Sequence, residues 1–255
     1  SVEREQSMEF ETKVQFLTQP EHNRRTIVIS DIHGHRAWLE KLLKKVDFSE
    51  KDILIIVGDM IEKGPESLNT IRYIMELCEK YTVYPMMGNV DLWRIQMLLT
   101  EDGSLDQELY ETNERMRQYW KATFFQDFCR EAGVSVKTPE EIPAAREAVV
   151  AKFQKELTFM KELPTILVTP AFTFVHGGLV HEKLEDNFHL PPFQLLKNDN
   201  FINQGKHFDK YVVVGHWPVC LYRSDIESSA PYISEEQKII AIDGGCGIKR
   251  DDQLN

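Results

Sequence analysis

The sequence predicts an α/β protein, and three observations lead to that class. Predicted strands and helices alternate through the first 90 residues, the predicted strands are continuous apolar runs, and similar strands return near the end of the chain. The chain has 255 residues, of which 42% are hydrophobic and 28% are charged, which is ordinary for a globular protein. We expect one domain over residues 1–255, with a helical insertion at about residues 91–162.

The predicted elements alternate in the first part of the chain. After a polar leader, a strand, a helix, a strand, a helix and a strand are predicted at residues 26–30, 35–46, 52–59, 65–80 and 82–89. Because continuous apolar strands need cover on both faces, this alternation predicts a parallel sheet that is buried on both sides. Strand patterns return after the insertion at residues 165–170, 171–178, 211–218 and 238–245.

The charge and the cysteines restrict the partners and the compartment. A net charge of -11 is opposite to the basic surface that nucleic acid or an anionic membrane needs, so neither is predicted as a partner. The four cysteines are scattered and form no CxxC pair, and the first 25 residues contain no apolar leader. These features predict reduced thiols and a cytoplasmic location.

Several predicted strands end in side chains of the kinds that bind metals. They are Asp31, His33, Asp59, Asn89, His176 and His216, most of them beside a glycine. Turn chemistry alone explains any one of them. Ligands of open α/β sheets, however, bind at the carboxyl ends of the strands, so the set as a whole favours a metal site. Oxygen and imidazole ligands without thiolates suit Mn, Fe, Zn or Mg.

Five short motifs follow one another in a characteristic order. They are "DIHG" at 31–34, "GDMIEKGP" at 58–65, "GNVD" at 88–91, "HGG" at 176–178 and "GHWP" at 215–218. This series resembles the calcineurin-like metallophosphoesterases. Within them it is most similar to the bacterial branch that holds phosphoprotein phosphatases and symmetrical diadenosine tetraphosphate hydrolases. The resemblance covers roughly residues 26–90 and 160–255 and leaves the helical stretch between them without a template.

The resemblance implies a fold and a set of metal ligands. The fold would be a four-layer αββα sandwich of mixed sheets. Two divalent metal ions are implied as cofactors, with manganese expected and iron, zinc or magnesium also compatible. Asp31 and His33 would bind one metal, Asp59 would bridge both, and the second would be held by Asn89, His176 and His216. A carboxylate can span two cations about 3.5–4 Å apart, whereas an imidazole nitrogen binds only one.

The resemblance also implies a reaction. The main expectation is a metal-dependent phosphoester hydrolase of the Ser/Thr phosphoprotein phosphatase type, in which a metal-bridging hydroxide attacks phosphorus. The substrate would be a phosphoprotein or a nucleotide. One alternative is hydrolysis of dinucleoside polyphosphates such as diadenosine tetraphosphate. A phosphodiesterase is another, although Pro218 stands where such relatives usually have a second histidine. A catalytically silent scaffold is disfavoured because all six ligand positions are retained.

Two positions depart from the family pattern. Lys63 stands where the family usually has arginine, so we expect it to bind substrate phosphate as a point charge or, alternatively, to be a solvated loop residue. Val90 stands where the phosphomonoesterases usually have a histidine that protonates the leaving oxygen. Valine has no proton to give, so we expect a preference for phosphoanhydrides, aryl esters or diesters.

Three further residues have two interpretations each. Asp91 is either a substitute catalytic acid with a raised pKa or a structural cap of the following helix. His35 contacts either the substrate or only the rim of the site, and Trp217 either packs against the metal site or stacks on a nucleoside base.

Overall fold

A computed structural model of the chain describes residues 10–18, 24–100, 103, 105, 119–224 and 228–248. The strands within these residues are β1 (Val14–Phe16), β2 (Thr26–Ile29), β3 (Ile53–Ile56), β4 (Thr82–Pro85), β5 (Ile166–Val168), β6 (Phe172–Val175), β7 (Tyr211–Val214), β8 (Tyr232–Ser234) and β9 (Ile239–Ala241). The helices are α1 (Arg36–Lys45), α2 (Ser67–Lys80), α3 (Asn89–Leu98), α4 (Thr123–Ala132), α5 (Ile142–Lys152), α6 (Gln154–Lys161) and the short α7 (Pro192–Leu196).

The strands form two sheets. The first has the order β2-β3-β4 and is entirely parallel. The second has six strands in the order β1-β5-β6-β7-β9-β8 and is mixed, because β5 pairs antiparallel with β6 and β8 pairs antiparallel with β9. Strands β6, β7 and β9 are parallel to one another, so their carboxyl ends meet at one edge of this sheet.

The two sheets pack face to face. Ile55 and Val57, from the parallel sheet and the turn after it, contact Leu167, Phe174 and Val213 of the mixed sheet in one buried cluster. Apolar side chains on the inner faces of two sheets interdigitate in this way in β-sandwiches. The result is an apolar interface that holds the two sheets, and the loops at their ends, in one orientation.

Helices cover the outer face of the parallel sheet. Leu39 of α1, Ile71 of α2 and Phe128 of α4 share a buried cluster with Leu54 and Ile56 of β3. Each of these helices is amphipathic, so its apolar side faces the sheet.

The outer face of the mixed sheet has a thinner cover. Val212 and Val214 of β7 pack there with Leu195 of α7 and with Phe201 and Ile202 in the turn that follows it. The layers are therefore helix, sheet, sheet and helix, and the predicted four-layer αββα architecture with mixed sheets is confirmed.

The second sheet covers the inner face of the parallel sheet, so the prediction that both faces are buried is confirmed. Three details of the strand assignment were wrong. Strand β1 lies in the segment treated as a polar leader, and β8 was not predicted. The predicted strand 82–89 ends at Pro85, because Asn89 already begins α3. Of the predicted insertion, residues 101, 102, 104 and 106–118 lie outside the described residues.

No disulfide joins the four cysteines, all of which lie among the described residues, and three of them are buried, as expected for reduced thiols. Among the helices that the described residues form, none is both long enough and apolar enough to cross a membrane.

Candidate metal centre

The predicted metal ligands converge at one edge of the sandwich. The loops after β2, β3 and β4 contribute Asp31, His33, Asp59 and Asn89, and the loops after β6 and β7 contribute His176 and His216. Two groups of three potential ligands form there: Asp31, His33 and Asp59 in one, and Asp59, His176 and His216 in the other. Within each group the ligand atoms lie within 4.8 Å of one another. Asp59 belongs to both groups.

One carboxylate oxygen of Asp31 accepts hydrogen bonds within the protein, and the other accepts none. Oδ2 accepts hydrogen bonds from the Ser30 hydroxyl at 2.5 Å and from the backbone N–H of His216 at 3.0 Å. Oδ1 is buried and has no hydrogen-bond partner, although it lies 3.7 Å from Nε2 of His33 and 3.9 Å from Nε2 of His176. A buried oxygen without a partner is costly in a protein interior, and a bound cation would satisfy it.

Asp59 is oriented in the same manner. Its Oδ1 accepts the backbone N–H of Val90 at 2.9 Å. Its Oδ2 faces Nε2 of His33 at 3.6 Å and Nε2 of His176 at 3.2 Å. The second oxygen therefore lies between ligands of both groups, where a bridging carboxylate is required.

Hydrogen bonds to backbone carbonyl groups fix the imidazole rings of His33 and His176. Nδ1 of His33 donates to the carbonyl oxygen of Ile61 at 2.9 Å, and Nδ1 of His176 donates to that of Val57 at 2.8 Å. Each ring consequently turns Nε2 toward the centre. Backbone carbonyls that accept the outer N–H group are the usual support of metal-binding histidines.

The amide oxygen of Asn89 completes the second group. It lies 3.0 Å from Nε2 of His176 and 3.2 Å from Nδ1 of His216. Asn89 is the first residue of α3, and Gly88 precedes it. A Cβ on Gly88 would lie 2.2 Å from the backbone nitrogen of Asp59, so only glycine allows these two loops to approach so closely.

Burial and opposite charges shift the pKa values at the centre. Burial lowers the pKa of His33, but the carboxylates of Asp31 and Asp59 outweigh it and raise that pKa to about 9. The same balance raises the pKa of His176 to about 10. Burial acts to raise the pKa of Asp59, yet the nearby histidines hold it below the ordinary value. The carboxylates thus stay ionised and create a strongly cation-attracting pocket.

The backbone is strained at the same residues. Positive φ angles occur at Asp31 (56°), His33 (47°), Asp59 (54°) and His216 (66°). Left-handed conformations are uncommon for residues other than glycine, and such strain clusters at functional sites. The surrounding loops therefore hold these four residues in an unfavourable backbone conformation that directs their side chains toward the site.

Lys63 lies beside the first group. A Cβ on Gly247 would be 3.0 Å from Nε2 of His33 and 3.2 Å from Nζ of Lys63, which places the ammonium next to the metal-facing side of the imidazole. A cation at this position can attract the phosphate of a substrate.

Asp91 is enclosed beneath the site. Its side chain is fully buried, and its oxygens accept the backbone N–H groups of Asp59, Met60 and Gly88 at 2.8–3.0 Å. Burial and the charge of Asp59 raise the pKa of Asp91 to about 7. The three amide contacts favour the structural interpretation, in which Asp91 caps α3 and holds the Asp59 loop.

His35 and Trp217 lie near the ligands. The ring of His35 stacks on Trp38 with centroids 3.7 Å apart, and Trp217 follows His216 directly. The indole Nε1 of Trp217 is buried without a hydrogen-bond partner. Their predicted contacts with substrate stay predictions.

Several residues at the site were missed by the sequence analysis. Ser30 binds Asp31, Asp199 binds His216 at 2.5 Å, and Asp243 is buried nearby with a pKa raised by burial and by Asp31. No local pattern distinguishes these residues from ordinary serines and aspartates. For Asp243, the glycine pair that follows it at 244–245 was the one available signal.

The donor set fits two divalent cations of intermediate hardness. It offers carboxylate, amide and imidazole groups, an orphaned carboxylate oxygen, and imidazole rings whose Nε2 atoms already face inward. Such a donor set at the loop edge of a two-sheet sandwich is suited to two-metal hydrolytic chemistry.

Comparison with known proteins identifies the family. The family model described as calcineurin-like phosphoesterase matches residues 24–237. The chain therefore belongs to the calcineurin-like phosphoesterases.

Curated relatives match a part of the chain. The symmetrical bis(5'-nucleosyl)-tetraphosphatases of Buchnera aphidicola and Shewanella loihica are 45% and 46% identical over 65 and 68 residues, which are 25% and 26% of this chain. The enzyme of the same name from Coxiella burnetii is 35% identical over 89 residues, or 34% of this chain. These matches span 23%, 24% and 28% of the three relatives.

Solved structures share the fold across nearly the whole chain. One, described as a candidate diadenosine tetraphosphatase, has a TM-score of 0.57 at 20% identity and covers 93% of this chain and 90% of its own. A protein serine/threonine phosphatase from Saccharomyces cerevisiae has a TM-score of 0.52 at 13% identity, with 96% and 82% covered.

Proposed function

We propose that this protein hydrolyses the phosphoanhydride bonds of dinucleoside polyphosphates, with diadenosine tetraphosphate as the expected substrate. One observation carries the proposal: two groups of potential metal ligands share Asp59, and a buried oxygen of Asp31 faces them without a partner. The names of the curated relatives support the choice of substrate class.

The proposed ligand assignment follows the two groups. Asp31 and His33 would hold one divalent cation, Asp59 would contribute to both, and the second cation would be bound by Asn89, His176 and His216. Manganese is the expected metal. When bound, the cations would offset the phosphate charges and supply a water with a lowered pKa as the nucleophile.

The side chains prepare the site for an anionic substrate. The Lys63 ammonium beside His33 would bind a phosphate oxygen and orient the polyphosphate. The carboxylates of Asp31 and Asp59 are kept ionised by the neighbouring histidines, so they would repel phosphate unless cations were bound. Substrate binding is therefore expected to depend on metal.

Position 90 favours an anhydride. In the proposed reaction water adds across a central P–O–P bridge, and a nucleoside diphosphate leaves as a stabilised phosphate anion that needs no proton. Val90 contributes only its backbone N–H, which is bound to Asp59, so it cannot protonate an alkoxide. The phosphoserine and phosphothreonine substrates expected from the sequence need that proton. General acid catalysis typically raises the rate by about 10²–10⁴-fold.

A substrate panel tests the proposal. The manganese-loaded full chain is assayed with diadenosine tetraphosphate, p-nitrophenyl phosphate, its bis ester and a phosphoserine peptide, and nucleotide products are separated by chromatography. We expect the highest kcat/KM for diadenosine tetraphosphate, with ADP as the sole product. ATP together with AMP would indicate asymmetric cleavage, and a faster reaction on the phosphopeptide would refute the proposed substrate class.

Asp59→Asn is the matched inactive variant. It preserves the size of the side chain and removes the charge that both ligand groups share. We expect turnover of every substrate to fall by at least about 100-fold. The control is Asp209→Asn, an exposed residue outside the site, which should keep normal turnover. Surviving activity in Asp59→Asn would place the reaction elsewhere.

A further inference from the structure

His216 presents its two ring nitrogens to different partners. Nδ1 lies 3.2 Å from the side-chain oxygen of Asn89, on the side of the candidate metal centre. Nε2 lies 2.5 Å from Oδ1 of Asp199, a residue outside every motif described above. Only the tautomer with its proton on Nε2 can donate to Asp199 and leave the Nδ1 lone pair for a metal ion.

Asp199 is itself held in place by a charged neighbour. Nζ of Lys197 lies 2.7 Å from each of its carboxylate oxygens. The side chain is 45% exposed, so water partly screens the ion pair with Lys197. The two contacts with Lys197 nevertheless hold the carboxylate whose Oδ1 lies against His216.

The segment that carries Asp199 is docked on the glycines after His176. The backbone N–H groups of Gly177 and Gly178 donate to the carbonyl oxygen of Leu195 at 3.1 and 3.0 Å. A Cβ on Gly177 would lie 2.5 Å from that same oxygen, so the close contact requires glycine. The position of Asp199 is thus tied through the backbone to the loop of one candidate ligand, while its side chain supports another.

We propose that Asp199 is a positioning residue of the metal centre. Its carboxylate accepts a hydrogen bond from Nε2 of His216 and thereby selects the tautomer whose Nδ1 binds the second metal ion. The assignment rests on the proposed function, because it requires a dinuclear site. Acceptors that orient metal-binding imidazoles typically contribute about 10- to 100-fold to metal affinity.

Metal binding by substituted full-length chains tests this role. Asp199→Ala removes the acceptor, Asp199→Asn introduces an amide that can donate to Nε2 and stabilise the other tautomer, and Asp199→Glu restores a carboxylate on an exposed loop. Calorimetric titration of each metal-stripped protein with Mn²⁺ should show one site unchanged. The other site should be about 10- to 100-fold weaker in the alanine and asparagine variants and largely recovered in the glutamate variant. Asp209→Asn is the control.

A spectroscopic measurement distinguishes a positioning role of Asp199 from a general loss of structure in the variants. Long-range ¹H–¹⁵N correlation spectra of the zinc-loaded protein report which nitrogen of His216 carries the proton. We expect Nε2 in the native protein and in Asp199→Glu. A proton on Nδ1 in the native protein, equal Mn²⁺ affinities in all variants, or binding of a single metal ion by the native chain would each overturn the proposal.

The outcome is distinguishable from failure of the proposed function. A chain that binds two metal ions with an Asp199-dependent affinity, yet does not hydrolyse diadenosine tetraphosphate, supports the positioning role and refutes the proposed substrate.

Discussion

At the residue scale, Asp31 and Asp59 of the candidate metal centre each use one carboxylate oxygen for hydrogen bonds within the protein and turn the other toward the site. Asp31 uses Oδ2 for Ser30 and His216, and Asp59 uses Oδ1 for Val90. The remaining oxygens are thereby oriented before any cation binds. Such preorganisation reduces the cost of ordering ligands around a metal.

Val90→His should restore a proton donor where the chain has none. An imidazole there could protonate a leaving alkoxide, so we expect turnover of an alkyl phosphate to rise by up to about 100-fold. p-Nitrophenolate leaves without a proton, so turnover of p-nitrophenyl phosphate should change much less. Steady-state rates on both esters, with Val90→Leu as the control for size, provide the measurement. Equal effects on the two esters would contradict the leaving-group explanation.

Metal affinity should increase with pH. The nearby carboxylates raise the pKa of His33 to about 9 and that of His176 to about 10 against the burial that lowers both, so these rings are protonated in the metal-stripped protein at neutral pH. A metal ion binds the neutral ring and must displace those protons.

Between pH 6 and 8 we therefore expect the apparent Mn²⁺ affinity to rise roughly tenfold per pH unit for each proton that the metal ion displaces. Calorimetry in buffers of different ionisation enthalpy measures both the affinity and the protons released. Equal affinity at the two pH values would show that the rings are already neutral.

At the element scale, side chains from neighbouring segments cap the starts of α2 and α4. Glu66, the residue before α2, makes no capping hydrogen bond with its side chain. The N–H groups of Ser67 and Leu68 instead donate to Oδ2 of Asp127 in α4. Glu62, in the loop before α2, accepts the backbone N–H of Phe124 at the start of α4. Because Glu62 directly precedes Lys63, this contact joins α4 to the loop that carries Lys63.

Asp127→Ala should destabilise the fold with little effect on the metal centre. The substitution leaves the first N–H groups of α2 without their acceptor, and loss of a helix cap typically costs about 1–2 kcal/mol of unfolding free energy. Urea unfolding measures the loss, and Asp127→Asn, which keeps an acceptor oxygen, should lose less. Unchanged stability in the alanine variant would mean that water replaces the cap at no cost.

At the scale of the whole molecule, the candidate metal centre takes its residues from both sheets. Asp31, His33, Asp59 and Asn89 follow strands of the parallel sheet, whereas His176 and His216 follow strands of the mixed sheet. Hydrogen bonds cross at the same place, since His176 binds the carbonyl oxygen of Val57 and the N–H of His216 binds Asp31. A cation bound by ligands from both sheets would hold them together.

Manganese should consequently stabilise the native chain. At a free concentration 100 times the dissociation constant, a single site contributes about 2.7 kcal/mol, which corresponds to a rise in Tm of roughly 5–10 °C for a chain of this size. Thermal unfolding with and without Mn²⁺ measures the rise. Asp59→Asn should lose it and Asp209→Asn should retain it, and an equal rise in Asp59→Asn would place the stabilising metal at another site.

The six candidate ligands could be proposed from the sequence because each lies in a short motif at the end of an apolar strand. Asp31 and His33 alternate after β2, and Gly58, Gly88 and Gly215 precede three others. Asp199 could not be found this way, because its partner His216 is 17 residues away and their contact depends on how a loop docks. The strand β1 was also missed, since three residues with mixed polarity carry no clear period.

The sequence by itself predicted the class of fold, the candidate ligand types and the valine at position 90, because these depend on local periodicity and on residue identity. Only the tertiary structure decided which oxygen of Asp31 is free, which nitrogen of each histidine faces inward, and that Asp199 lies behind His216. Those features depend on the packing of two sheets whose strands are far apart in the chain, and contacts at such separation leave no local pattern.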